Sequence, residues 1–229
     1  MPMINIFFTS FKEPLEQDLM SEYLSLLSPE LRERNSRFLR WQNRHEHLLG
    51  KLLLIEALRM YGVERNIWDY IRYNSYQRPY LTLPGYDFNV SHSGDFVVCA
   101  IGKNIRLGID IEENRKVNFK NFHSLMTPGQ WDEINRANNP LKEFYRYWTI
   151  KESVIKADGR GFAISLDELE VKNNSVQYED EQWLVTELEF ANGYSGALAT
   201  DEWSEYKMHE IDFYRSSPAS RVRSKLVST

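Results

Sequence analysis

The 229-residue sequence predicts an α+β protein built from two similar halves. Three observations carry that reading. Short β-like runs alternate with long helical stretches, the order of helices followed by strands occurs twice, and 42% hydrophobic with 14% aromatic residues can bury a core in each half. The halves are expected at 1–105 and 106–213, and residues 214–229 as a flexible tail.

"MINIFFTS" opens the chain as a strand. Apolar spacing then predicts helices over 15–27 and 33–61, the second with a break near Leu39. "YLTL", "DFNVSHS", "DFVVCAIG" and "RLGIDIEE" follow as short strands, punctuated by Pro84-Gly85, Gly94 and Gly102-Lys103-Asn104 in the pattern of an antiparallel meander. A second helical block is expected over 128–158, stopped by Gly159, and strands over 169–171, 183–190, 196–200 and 206–211 complete the second half. The tail "SSPASRVRSKLVST" carries Arg221, Arg223 and Lys225 and few large apolar groups.

A net charge of -5 and a pI near 5.6 argue against a protein that coats nucleic acid, although a local basic patch can still hold a small anion. The single cysteine, Cys99, permits no internal disulfide. "MPMINIFF" lacks the basic start and long apolar run of a signal peptide, and no stretch approaches the about 20 apolar residues of a membrane span. The expectation is a cytoplasmic chain with neither membrane nor nucleic-acid partners.

In "LGIDIEE", Leu107, Ile109 and Ile111 alternate with Gly108, Asp110 and Glu112, so a strand puts aliphatic side chains on one face and two carboxylates on the other. The acids would stand roughly 7 Å apart and repel mildly, unless a cation or base lies between them. A half-buried strand with a wet face is the plainer reading of these seven residues. In "EFYRYWTIKESVIKADG", Trp148, Glu152 and Lys156 share one helix side. Glu152 and Lys156 alone make an ordinary surface pair worth about 0.3 kcal/mol. Partial burial beside Trp148 would let Glu152 act as a general base with Lys156 near a developing charge.

"FNVSHSG" sets Ser91, His92 and Ser93 before a glycine turn, where His92 either donates to a phosphate with Ser91 or caps its own turn. A Ser/His nucleophile pair is disfavoured, because strand neighbours point to opposite faces and no G-x-S-x-G elbow is present. Arg37, Arg40, Arg44 and Lys51, with Arg78 further on, each read as part of a solvated mixed-charge face, though as a group they could hold a polyanion. There is no G-x-x-x-x-G-K-[ST] loop, no dinucleotide fingerprint and no H-E-x-x-H.

Taken together, "FNVSHSG", "LGIDIE" and "FYRYWTIKESVIKADGRGF" resemble the Sfp-type 4'-phosphopantetheinyl transferases. The resemblance implies a monomeric pseudo-dimer with the active site in the cleft between its halves. It implies that coenzyme A gives its phosphopantetheine arm to a serine of an apo carrier protein, with Mg²⁺ as cofactor. Carried over residue by residue, Asp110 and Glu112 would bind Mg²⁺, Glu152 would serve as base or metal-linked acid, and Lys156 would steady the phosphate. Ser91, His92 and Arg78 would hold the nucleotide, and Trp148 would pack in the core. Two positions depart from the family. "MTPGQWDEI" offers Gln130 where the family has a further metal-binding acid, with Glu133 a nearby substitute. In "RHEHLLG" Glu46 stands where arginine is frequent, so Arg44 or Lys51 would take the 3'-phosphate. Another Mg²⁺-dependent nucleotide phosphotransferase, or a non-catalytic module binding a carrier protein or coenzyme A, is left open as an alternative.

Overall fold

The computed structural model describes residues 1–215 and 222–225. The first half runs β1 (Met3–Ser10), α1 (Gln17–Ser25), α2 (Pro29–Ser36), α3 (Trp41–Met60), β2 (Ile71–Tyr73), β3 (Pro79–Leu81), β4 (Tyr86–Ser93) and β5 (Phe96–Lys103). The second runs β6 (Leu107–Glu113), a 3-10 turn Phe119–Leu125, α4 (Pro128–Arg136), α5 (Pro140–Asp158), β7 (Glu170–Lys172), β8 (Ser175–Tyr178), β9 (Glu181–Leu188), β10 (Tyr194–Thr200), β11 (Glu205–Ile211) and β12 (Val222–Lys225). None of the helices among the described residues is long and apolar enough to cross a membrane.

Local chemistry explains where the helices break. The break expected near Leu39 falls between α2 and α3, and α2 starts at Pro29, earlier than expected, because the Ser28 hydroxyl caps it by accepting from the Leu31 N–H. The block 128–158 is likewise α4 and α5. Asn139 accepts from the Lys142 N–H and Pro140 follows at the first helical position, which ends one helix and starts the next.

Two five-stranded sheets form, in the orders β12-β11-β1-β5-β4 and β6-β10-β9-β8-β7. The long helix α3 packs on the outer face of the first through Leu49, Leu52 and Leu53 against Phe7, Val97 and Cys99, and α5 covers the second through Ile150, Val154 and Ala157 against Ala197 and Ala199. Between the sheets lies a third core made by Ile4, Ile6 and Phe8 of β1, Leu107, Ile109 and Ile111 of β6, and Leu198. The layers are therefore helix, sheet, sheet, helix, in an α+β arrangement.

The expected meander holds only for β4 and β5, which pair antiparallel from Tyr86↔Lys103 to Ser93↔Phe96. β6 instead begins the second sheet beside β10, and β3, which overlaps the expected "YLTL" at Tyr80 and Leu81, pairs with β2 alone. β11 crosses back from the second half and pairs parallel with β1, Met3 opposite Glu205. Within the tail expected from residue 214, Val222–Lys225 pairs antiparallel with β11. Residues 216–221 and 226–229 lie outside the described residues.

Gly108 sets how closely β6 meets α5. A β-carbon there would stand 2.1 Å from the Ser153 carbonyl oxygen, 2.3 Å from the Ala157 nitrogen and 2.9 Å from the Lys156 carbonyl carbon. All three are backbone atoms, so only a shift of the helix could make room. We expect Gly108→Ala to destabilise the fold by about 3 kcal/mol or more, the upper part of the range for overpacking a core. Urea denaturation of the two proteins measures it.

Candidate active site

The site is built on a seam between two sheet edges. β4 ends the order of the first sheet and β6 that of the second. Alternate residues of "DFNVSHS" point to one side of β4, and all four carry a side-chain oxygen: Asp87, Asn89, Ser91 and Ser93. The free N–H groups of β6 donate to them in turn, Leu107 to Asp87 Oδ2 at 3.0 Å, Ile109 to Asn89 Oδ1 at 3.1 Å, Ile111 to Ser91 Oγ at 3.4 Å and Glu113 to Ser93 Oγ at 3.1 Å. Side chains thus replace the backbone ladder that would satisfy an edge strand.

The same serines hold the two acids of β6. Ser91 donates to Asp110 Oδ1 at 2.8 Å and Ser93 to Glu112 Oε2 at 2.6 Å. Lys156, presented by α5, donates to Ser91 Oγ at 2.9 Å and to Asp110 Oδ1 at 2.6 Å. Asp110 is only 3% exposed, so the carboxylate face of this strand is not wet but covered by α5. Its second oxygen, Oδ2, is buried with no hydrogen-bond partner.

Two further carboxyls respond to this charge. Burial, then the Asp110 charge, raises Glu112 above the usual carboxylate range, while the hydrogen bond from Ser93, the charge of Lys156 and the nearby Trp148 indole oppose the rise. Burial followed by repulsion from Asp110 lifts Glu152 to about 7; Lys156 works against this and Glu112 adds to it. Trp148 is half-buried, its ring against Phe122 and Phe144, and its indole lies near Glu112. The structure therefore gathers Ser91, Asp110, Glu112, Glu152 and Lys156 from both halves.

His92 joins them from the opposite face of β4. Its Nδ1 lies 3.6 Å from Glu46 Oε2 on α3, and its side chain stays 51% exposed. Burial lowers its pKa, Glu46 and Asp110 raise it, and Lys156 lowers it further. Arg78 is placed behind the cluster. Its Nε donates to the Lys156 carbonyl at 2.7 Å, and its Nη2 to Asp87 Oδ2 at 2.8 Å and the Leu107 carbonyl at 3.0 Å, so this guanidinium ties α5 to the seam rather than facing outward for a nucleotide. Arg44 is exposed on α3, its Nε donating to the Phe38 carbonyl at 2.9 Å.

Gln130, expected as a metal-binding residue, has its side-chain amide engaged within the protein. It is the third residue of a capping box: Thr127 Oγ1 accepts from its N–H, its Oε1 accepts from the Thr127 N–H at 3.0 Å, and its Nε2 donates to the Leu169 carbonyl at 3.2 Å. Both ends of the amide are committed. Glu133 Oε2 accepts from the Tyr147 hydroxyl.

Sequence reasoning missed His47. Its Nδ1 lies 3.2 Å from Asn35 Nδ2 and accepts from it, which leaves the hydrogen on Nε2, a buried atom without a partner. Burial, then the charges of Lys51 and Arg34, pull it down to about 4. Only the fold brings α2 and α3 together to make this basic nest, and "RHEHLLGK" gives no sign of it beyond two histidines two residues apart.

A hard cation is what the family's chemistry implies for the acids. Among the described residues no three His, Cys, Asp or Glu groups converge as a ready-made metal cage. The unpartnered Asp110 Oδ2 beside Glu112 nonetheless fits an oxygen-preferring cation.

Comparison with known proteins places this geometry. Residues 106–200 match the family model of the 4'-phosphopantetheinyl transferase superfamily, and residues 13–104 match that of 4'-phosphopantetheinyl transferase, N-terminal. Over 165 residues the chain is 31% identical to the 4'-phosphopantetheinyl transferase Sfp of Bacillus subtilis, covering 69% of this chain and 72% of that protein. The chain belongs to the 4'-phosphopantetheinyl transferases. This transferase is also 30% identical over 177 residues to the 4'-phosphopantetheinyl transferase gsp of Aneurinibacillus migulanus, covering 76% of this chain and 74% of that one. It is 31% identical over 163 residues to the L-aminoadipate-semialdehyde dehydrogenase-phosphopantetheinyl transferase of Mus musculus, covering 63% of this chain and 52% of that one.

The seam makes a sharp prediction for this enzyme. Asn89 is 5% exposed and its Oδ1 is the acceptor for the Ile109 N–H. Asn89→Ala leaves that buried donor unsatisfied and should lower stability by about 1–3 kcal/mol. The urea midpoint reports it, and a change below about 0.5 kcal/mol would show that water or a relaxed strand serves the N–H instead.

Proposed function

We propose that this chain transfers the 4'-phosphopantetheine arm of coenzyme A to a serine hydroxyl of an apo carrier protein and releases adenosine 3',5'-bisphosphate. The observation that supports it best is the cluster at the seam, where Asp110, Glu112 and Glu152 surround one ammonium, Lys156. In the reaction the serine oxygen bonds to the phosphorus that carries pantetheine. The bond from that phosphorus to the bridging oxygen breaks, and its electron pair leaves with the adenosine bisphosphate. Glu152 takes the serine proton. A carboxyl lifted to about 7 is about half ionised at neutral pH and basic enough to accept a proton as the bond forms.

Lys156 would lie over the diphosphate and offset its charge, since its ammonium already spans Ser91 and Asp110. Asp110 and Glu112 would hold Mg²⁺, which when bound neutralises diphosphate oxygens and draws the substrate toward the acids. Ser91 and His92 border the same place, and the nest of Arg34, His47 and Lys51, with exposed Arg44, is the proposed seat for the 3'-phosphate. Transfer of this kind depends on positioned groups and neutralised charge more than on covalent help from the enzyme. A monomeric chain working in the cytoplasm is the setting we propose.

Two outcomes test the assignment. Glu152→Gln should reduce transfer, read as the mass gained by an apo carrier, by about 10²–10⁴-fold, the usual contribution of a positioned base. A variant within a factor of two would remove Glu152 from proton transfer. For the unaltered enzyme, a base must be ionised to act, so kcat/KM should rise with pH and level off above about 7. A pH profile flat between 5.5 and 8 would place the proton acceptor elsewhere.

A further inference from the structure

Lys151 precedes Glu152 in α5, yet its side chain is fully buried, 0% exposed. Its ammonium donates to two backbone carbonyls, Leu125 at 2.9 Å and Leu166 at 2.7 Å. Burial pulls the amine down to about 8, and Asp167 opposes the fall. Desolvating an ammonium for two neutral acceptors is costly, and an apolar side chain of the same length would fill the space more cheaply. The charge is there for what it joins.

Leu125 ends the 3-10 turn that follows β6, and Leu166 opens the 3-10 turn Leu166–Glu168 that follows α5. The first of these turns reaches the reacting groups. Its Phe122 packs edge-on against Trp148, ring centroids 5.6 Å apart at 87°, and the Trp148 indole lies near enough to Glu112 to favour its charged form. A continuous path therefore runs from the buried ammonium through Leu125, Phe122 and Trp148 to an acid of the cluster. Lys151 touches none of the acids itself.

We propose that Lys151 is a positioning residue for the transfer reaction, latching the turn 119–125 to the turn 166–168 and so holding Phe122 and Trp148 against Glu112. The proposal rests on the assignment of Glu112 and its neighbours as the reacting centre. The latch acts on the geometry of that centre and not on capture of the nucleotide, whose proposed phosphate seat is on α2 and α3.

The test uses the full chain with coenzyme A and an apo carrier, measuring kcat, KM for coenzyme A and melting temperature for the parent, Lys151→Met, Lys151→Arg and Phe122→Leu. Lys151→Met keeps the stem and removes the donors. It should lower kcat about tenfold while KM for coenzyme A stays within about twofold, the pattern of a lost interaction that matters in the transition state. Lys151→Arg, which restores charge and donors, should recover part of that kcat, and Phe122→Leu should reproduce the loss with Lys151 intact. A folded Lys151→Met at parental kcat overturns the latch, as does a loss confined to KM. If Lys151→Met does not fold, Phe122→Leu decides: parental kcat there overturns the proposal, and a kcat loss at unchanged KM supports it. Absence of transfer by the parent would overturn the assigned chemistry itself, a result distinguishable from the failure of the latch alone.

Discussion

Four hydrogen bonds from the edge of β6 to side chains of β4 are the constraint on which the rest of this molecule depends. An ordinary sheet would close that edge with another backbone and leave no polar side chains at the junction. Here the junction is made by Asp87, Asn89, Ser91 and Ser93, and because a serine hydroxyl both accepts and donates, Ser91 and Ser93 can satisfy the strand and still grip Asp110 and Glu112. Joining the halves and orienting the acids are a single act. The same four positions fix the registry of one half on the other, since each step along β4 meets the corresponding step along β6.

Close packing then decides the electrostatics. Gly108 lets α5 lie directly on the acid face of β6, which brings Lys156 onto Asp110 and partly shields Glu152 from water. Three carboxyls around one ammonium leave an excess of negative charge in a low-dielectric place. Burial and like charge both favour the protonated form of Glu152, and that is why an ordinary glutamate here is lifted to about 7.

How much of this could be read from residues alone varied with the range of the interactions. The alternation in "LGIDIEE" set the two faces of β6 correctly, because period-two patterning is local. That the acid face would be covered was not legible, since it depends on a helix some forty residues away. Thr127 and Gln130 already spell a capping box in the sequence. Asn139-Pro140 likewise signalled a helix start inside the block read as continuous. β8 was too short to stand out, and the strand-like run of "YLTL" was real only in part. Arg78 could not have been placed, because its partners, Asp87, Leu107 and Lys156, come from three separate elements. His47 escaped for the same reason.

β1 and β11, paired side by side in parallel, carry a consequence for how the chain is made. Nearly the whole sequence must leave the ribosome before the first strand finds this neighbour, so the N-terminal sheet emerges with Ile4, Ile6 and Phe8 along an open edge. Parallel pairing over such a separation is slow, and an open apolar edge invites association with other chains. The two halves are thus not two folding units in series. A nascent chain halted at the junction between them would hold every residue of its own half and still lack the strand that completes its sheet.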